Sequence, residues 1–163
     1  MKAFVLSVIL CWIVYMPVMS DGKVQVGADR LEEWLADLDG CRVALAVNQT
    51  SLLSASSVHL VDTLLARGIN VVALFAPEHG LRGTADAGEI LSDSRDARTG
   101  LPIYSLYGMN KKPSGRQLKD IDVLIFDIQD VGARFYTYIS TMYYLMQGCA
   151  EQGVSMWVLD RPN

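Results

Sequence analysis

Apolar and polar positions change period several times along this chain, and each change marks an element. Over 27–38, Leu31, Trp34, Leu35 and Leu38 recur at helical spacing while Asp29, Arg30, Glu32, Glu33 and Asp37 take the other face, which predicts a helix. Asp39-Gly40 closes it as a turn. The run 42–47 is apolar on both faces beyond Arg42, as in a strand of a sheet covered on both sides, and it passes into Asn48-Gln49-Thr50-Ser51. A helix follows, capped by Ser56 or Ser57, with Val58, Val61, Leu64 and Leu65 in one stripe and Gly68 at its end. The apolar run 71–75 is a second strand. Pro77 ends it, because proline cannot donate to a sheet ladder, and Gly80 and Gly83 loosen what comes next.

The passage 83–100 is polar and weakly periodic, and a loop of that length inside a domain is usually functional or mobile. Residues 101–108 contain a short strand that Pro102 places near a sheet edge, and Pro113-Ser114-Gly115 opens a short helix through Leu118. A third strong strand, 122–126, delivers Asp127, Gln129 and Asp130 at its end. Residues 135–149 then read as a helix with Ile139, Met142, Leu145 and Met146 inward, and 154–159 as the last strand, ending in Asp160-Arg161-Pro162-Asn163. Helices alternating with apolar strands predict an α/β fold, with parallel neighbours joined by right-handed crossovers.

Residues 1–20 stand outside that pattern. Lys2 gives a short positive start, 3–18 is almost wholly apolar, and Val18 and Ser20 suit the −3 and −1 positions of a signal peptide cut before Asp21. A membrane anchor is the competing reading, disfavoured by Pro17 and the cleavage-like site; lipidation at Cys11 is disfavoured by the bulky Leu10 before it. The expectation is a secreted or periplasmic protein with no stable membrane anchor after cleavage, in which 21–163 form one domain. The net charge is −4 and the densest basic pair is Lys111-Lys112, so nucleic acid is not expected as a partner. Cys41 and Cys149 read as free thiols rather than a disulfide. With His59 and His79 the only histidines, no metal site of the Cys/His kind is expected.

Four strand ends carry polar clusters: Asn48-Gln49, Glu78-His79, Asp127-Gln129-Asp130 and Asp160-Arg161-Asn163. Each alone reads as a solvated turn. Together, at the carboxyl edge of a parallel sheet, they read as one cleft. No glycine-rich phosphate loop and no Gly-x-Ser-x-Gly elbow is present, which leaves carboxylate chemistry. Glu78 is the candidate proton donor, and Asp127 and Asp130 are candidates for base, charge stabiliser or hydroxyl ligand. The same carboxylates suit Mg²⁺ or Ca²⁺, while Arg134 and Arg161 suit a ligand that bears a carboxylate. Tyr136 and Tyr138 are placed to stack on a sugar ring, and His59 reads as structural. Bland readings stand beside these: Asp127 and Asp130 as caps, Arg134 as a partner to one of them, and Glu78 and His79 as loop ties.

Asn48-Gln49-Thr50-Ser51, Ala76-Pro77-Glu78-His79-Gly80-Leu81-Arg82-Gly83, the long run from Phe126 through Tyr138, and Leu159-Asp160-Arg161-Pro162-Asn163 resemble the bacterial exo-β-N-acetylmuramidase family. The resemblance covers 27–163. It implies a Rossmann-like three-layer sandwich with a mostly parallel sheet, incomplete at its C-terminal side, in an exported glycoside hydrolase that frees N-acetylmuramic acid from the non-reducing ends of peptidoglycan-derived glycans. It implies no cofactor. Carried over, the family's glutamate falls on Glu78 as general acid/base, with His79 and Asp127 beside it. Asn48, Gln49, Arg82, Asp130, Arg134, Tyr136, Tyr138, Asp160 and Arg161 are then expected along the sugar site. A cell-wall-sugar binding module and a carboxylate-metal hydrolase are the alternatives. Family members run on past the Arg-Pro-Asn motif, so 21–163 alone are expected to turn over weakly or not at all.

Overall fold

The computed structural model describes residues 24–78, 80–82, 93–108 and 110–162. The leader-like stretch 1–20, most of the loop 83–100, His79 and Asn163 lie outside the described residues. Six strands make one sheet: β1 (Val43–Val47), β2 (Val71–Ala76), β3 (Ser94–Arg95), β4 (Pro102–Ser105), β5 (Val123–Asp127) and β6 (Ser155–Val158). Their order is β3-β4-β2-β1-β5-β6, and every pairing is parallel except β3 with β4. The helices are α1 (Leu31–Trp34), α2 (Leu60–Ala66), α3 (Gly115–Leu118) and α4 (Tyr138–Gln152).

The alternation of side chains in the strands builds two cores. Val43, Leu45 and Val47 of β1 and Val123 and Ile125 of β5 pack with Leu60, Val61 and Leu64 of α2 and with Leu31 and Leu38. Ala44, Ala46, Leu124 and Phe126 face the other way, onto Tyr138, Leu145 and Cys149 of α4 and Leu118 of α3. The sheet is thus covered on both sides, the three-layer sandwich expected of an α/β fold. From β1 the chain builds outward to β2 and β4, then returns to add β5 and β6 on the opposite side. The direction of winding reverses between β1 and β5, and in such sheets that crevice takes the ligand. The two strands run level, Val43 opposite Val123 and Val47 opposite Asp127. At their other end Arg42 clamps them, its Nη2 2.9 Å from Asp122 Oδ1 and its backbone N 2.7 Å from Asp122 Oδ2. That guanidinium holds the Asp122 carboxyl down at about 2.

Several elements differ from the pattern reading, each for a local reason. Residues 27–38 are not one helix but a 3-10 turn (Gly27–Asp29), the short α1 and a second 3-10 turn (Leu35–Leu38). The backbone N of Gly27 donates to Asp160 O at 2.8 Å, tying this segment to the end of β6, and the extended φ of −133° at Trp34 breaks the run. His59, not Ser56 or Ser57, caps α2, and Val58 lies exposed outside it. Helix α4 starts at Tyr138 and buries Tyr138, Thr141, Leu145, Gly148 and Cys149. Ile139 and Met146 consequently point outward, 57% and 51% exposed, with Tyr143 between them. A helix apolar nearly all round gives a weak indication of its inner face. Pro102 lies one strand in from the edge, where the two-residue β3 covers it. Strand β6 is the other edge, with Val158 half exposed. Cys41 and Cys149 are free thiols.

Candidate functional site

Strand parity decides where each polar strand end goes. Asp127 continues the β5 alternation onto the α2 side, where it is fully buried. Arg161 meets it with both arms, Nε to Oδ1 at 2.5 Å and Nη2 to Oδ2 at 2.9 Å, and Nη2 also donates to Leu52 O at 3.1 Å. Burial pushes the Asp127 carboxyl up from its ordinary value and the Arg161 guanidinium opposes that. The pair ties the end of β6 to the end of β5 and to the loop before α2. On the same side His59 donates from Nε2 to Asn48 O at 2.9 Å and accepts at Nδ1 from Val61 N. Burial holds its imidazole below the ordinary value. A cavity of about 320 Å³ on this side is lined by Gln49, His59, Asp62, Arg82 and Arg98. Its charges are matched: Arg82 reaches Asp96 at 3.1 Å and Asp62 at 3.6 Å, and Arg98 reaches Asp62 at 3.1 Å.

The opposite side holds Glu78. Past the end of β2 it is half-buried and lines a cavity of about 160 Å³ with Phe135, Tyr136, Thr137 and Tyr138. The Tyr136 and Tyr138 rings stand 5.7 Å apart at 60°, an edge-on pair. The Tyr107 hydroxyl donates to the Glu78 carboxylate, and that bond raises the tyrosine's pKa. Arg134, exposed beside Phe135, makes no ion pair or hydrogen bond among the described residues. Tyr138 also forms part of a wider groove of about 400 Å³, whose other walls include Asp130, Ile139, Met142, Val158, Asp160 and Arg161. Asp130 Oδ1 accepts from Gly132 N at 2.9 Å, so it caps the turn it sits on while facing the groove. Among the described residues no three His, Cys, Asp or Glu side chains converge as a metal ion would require.

The expected site residues therefore fall into three places. Glu78, Tyr136 and Tyr138 share one cavity; Asp130, Asp160, Arg161 and Tyr138 share the groove; Gln49 and Arg82 line the cavity on the far side of the sheet. Asn48 lies fully buried at the switch between β1 and β5, and Asp127 is committed to Arg161. Tyr107 was not among the candidates read from sequence. Strand register carries the missing signal: Ala76 pairs with Ser105, so Glu78 and Tyr107 both stand two residues past a paired position. Phe135 and Thr137 adjoin the tyrosines in the motif and enter the cavity with them.

A carboxylate bonded by a phenol, with aromatic side chains beside it and an exposed guanidinium nearby, is equipped to exchange a proton with a sugar oxygen while rings hold the sugar face. Comparison with known proteins shows the family to which the chain belongs. Residues 43–163 match the family model described as exo-β-N-acetylmuramidase NamZ, N-terminal. Over 143 residues the chain is 48% identical to the peptidoglycan β-N-acetylmuramidase NamZ of Bacillus subtilis (strain 168), covering 86% of this chain and 34% of that protein. Two crystal structures of DUF1343 family proteins from Bacteroides fragilis NCTC 9343 superpose with TM-scores of 0.76 and 0.74, at 45% and 42% identity. They are matched over 85% and 87% of this chain and 35% and 36% of their own length. The chain spans about a third of the length of each of these relatives.

Proposed function

The chain belongs to the NamZ exo-β-N-acetylmuramidase family, and on that premise we propose that it supplies the general acid/base and part of the sugar site for hydrolytic release of N-acetylmuramic acid from the non-reducing ends of peptidoglycan fragments. The observation that carries the assignment of roles is the Glu78 cavity, in which the carboxylate shares its walls with Tyr136 and Tyr138. Glu78 gives a proton to the glycosidic oxygen as the bond to the anomeric carbon breaks, and takes one from the water that completes hydrolysis. The anomeric carbon is attacked meanwhile by a second carboxylate or by the substrate's own acetamido oxygen. The commitment of Asp127 to Arg161 favours the acetamido route. Arg134 suits the lactyl carboxylate that distinguishes muramic acid from other amino sugars, through a charge-assisted hydrogen bond. Tyr107 steadies Glu78. The leader-like residues 1–20 support export, so that enzyme and substrate meet in a secreted or periplasmic setting.

The test is hydrolysis of a chromogenic β-N-acetylmuramide by a family-length form carrying these residues, with and without chelator, against Glu78→Gln. Turnover that survives chelator and drops by about 10²-fold or more in the variant is expected, the usual range for a lost general acid. A variant within a few-fold of the parent would remove Glu78 from the chemistry. Binding without turnover in the parent would make the protein a sugar-binding module.

A further inference from the structure

Among the described residues one buried side-chain group lacks a hydrogen-bond partner, the amide nitrogen of Asn48. Its orientation is determined by its neighbours. Asn48 Oδ1 accepts from Thr50 N at 2.9 Å and from Thr50 Oγ1 at 2.6 Å. Thr50 Oγ1 in turn accepts from Gln129 N at 3.0 Å. Both backbone N–H groups can only donate, so the Thr50 hydroxyl proton belongs to Asn48 Oδ1, and Nδ2 has to face the other way. Leaving an amide donor buried without an acceptor costs about 1–3 kcal/mol. Folding alone gives no reason to retain that cost at the mouth of the β1/β5 crevice. Burial makes the Tyr138 hydroxyl harder to ionise, and the Asn48 amide, close to that hydroxyl but outside hydrogen-bond geometry, makes it easier. Tyr138, itself buried, borders both the Glu78 cavity and the wider groove.

We propose that Asn48 is a positioning residue: when a sugar fills the cavity its amide donates to the Tyr138 oxygen, so that the Tyr138 proton is directed onto a sugar oxygen beside Glu78. The inference rests on the Glu78 cavity being the sugar site. Every proton in the series then runs the same way, from Gln129 N–H to Thr50 O–H, Asn48 N–H and Tyr138 O–H. The series starts at the end of β5, crosses the switch point and ends in the cavity. Hydrogen bonds aligned in one direction polarise one another, which strengthens the last donor. Tyr138 thereby serves as a donor to substrate rather than as an acceptor from it, and Asn48 acts through Tyr138 without touching the sugar.

Asn48→Asp tests this, because it keeps the shape but replaces the donor by an acceptor. One carboxylate oxygen still receives Thr50; the other captures the Tyr138 proton and turns it out of the cavity. In ¹³Cζ-tyrosine NMR, with the Tyr138 resonance identified by its absence in Tyr138→Phe, the titration midpoint of Tyr138 is expected to rise by about one pH unit or more in Asn48→Asp. An unmoved midpoint overturns the proposal. This readout needs no turnover, so it decides the role of Asn48 even if the glycosidase reading fails. With a chromogenic β-N-acetylmuramide, Asn48→Asp is expected to lower kcat by about 10–100-fold with KM within about threefold, a loss of the size seen when a positioned donor is removed. The double variant Asn48→Asp/Tyr138→Phe should be no slower than Tyr138→Phe alone. Losses that multiply would show that Asn48 does not work through Tyr138. If Asn48→Asp does not fold, Asn48→Ala removes the donor without adding charge and should move both readouts in the same direction by less.

Discussion

His59 can cap α2 in one protonation state alone. Val61 N donates to Nδ1, so that nitrogen must be bare, and the proton sits on Nε2, where Asn48 O takes it. Burial, with Arg82 adding to it, outweighs the hydrogen bond to Asn48 O and the charges of Asp62 and Asp127 and holds the imidazole below its ordinary value. The folded chain thus takes up a proton here less readily than the unfolded chain. Stability owed to neutral His59 is complete above the unfolded value of about 6.5 and is lost as pH falls through that value towards the folded one. Thermal unfolding midpoints should decline between about pH 7.5 and 5.5, and decline less in His59→Gln; parallel curves for the two proteins would place the acid sensitivity elsewhere. The residue scale is also where the site was least legible in advance. That polar groups collect at strand ends is plain in the sequence, because the strand interiors hold so few of them. Which side of the sheet each group takes depends on parity and register. Asp127 and Asn48, expected in one cleft, are turned to opposite sides, and Tyr107 reaches Glu78 only through the pairing of β2 with β4.

At the scale of elements, the segment before β1 is held by a close approach. A Cβ on Gly27 would lie 2.8 Å from Asp160 N and 2.9 Å from Leu159 Cα, both main-chain atoms that cannot swing aside. Gly27 also donates to Asp160 O, and its carbonyl receives Trp34 Nε1 at 3.1 Å. Gly27→Ala should push this segment off the end of β6 and cost about 1–3 kcal/mol, the usual penalty of overpacking. Urea unfolding measures it, and a midpoint equal to the parent's would mean the approach is softer than described. The same contact explains why 27–38 is not the continuous helix its spacing suggests. Local periodicity records which residues are buried, as Leu31 and Leu38 are, but not that a distant strand end pins the first turn. In contrast, Ser114-Gly115-Arg116-Gln117 carries its own start signal. Ser114 accepts from Gln117 N while the Gln117 side chain accepts from Ser114 N, a reciprocal cap that any reader of the sequence could place.

At the scale of the whole molecule, the order of elements was legible because the apolar runs without alternation are too short for helices and are bounded by turn residues, so they read as strands buried on both faces, separated by helical stretches. The outer face of α4 was not, since Ile139, Tyr143 and Met146 look like core by hydropathy. Those three side chains and Val158 of the edge strand β6 form an apolar flank beside a row of main-chain donors and acceptors that no strand pairs among the described residues. Such a flank is adhesive in water. Two copies can join edge to edge, adding main-chain hydrogen bonds to the burial of apolar surface, and because each copy offers the same flank the pairing closes at a dimer. Sedimentation velocity on the isolated chain should therefore show a weight-average mass that climbs with concentration. Val158→Lys together with Ile139→Glu should return it to the monomer, and a variant that climbs as steeply as the parent would place the contact on another surface. For anyone preparing this chain in isolation, the practical quantity is colloidal: its usable concentration is expected to follow from one flank of the sheet rather than from the stability of the fold.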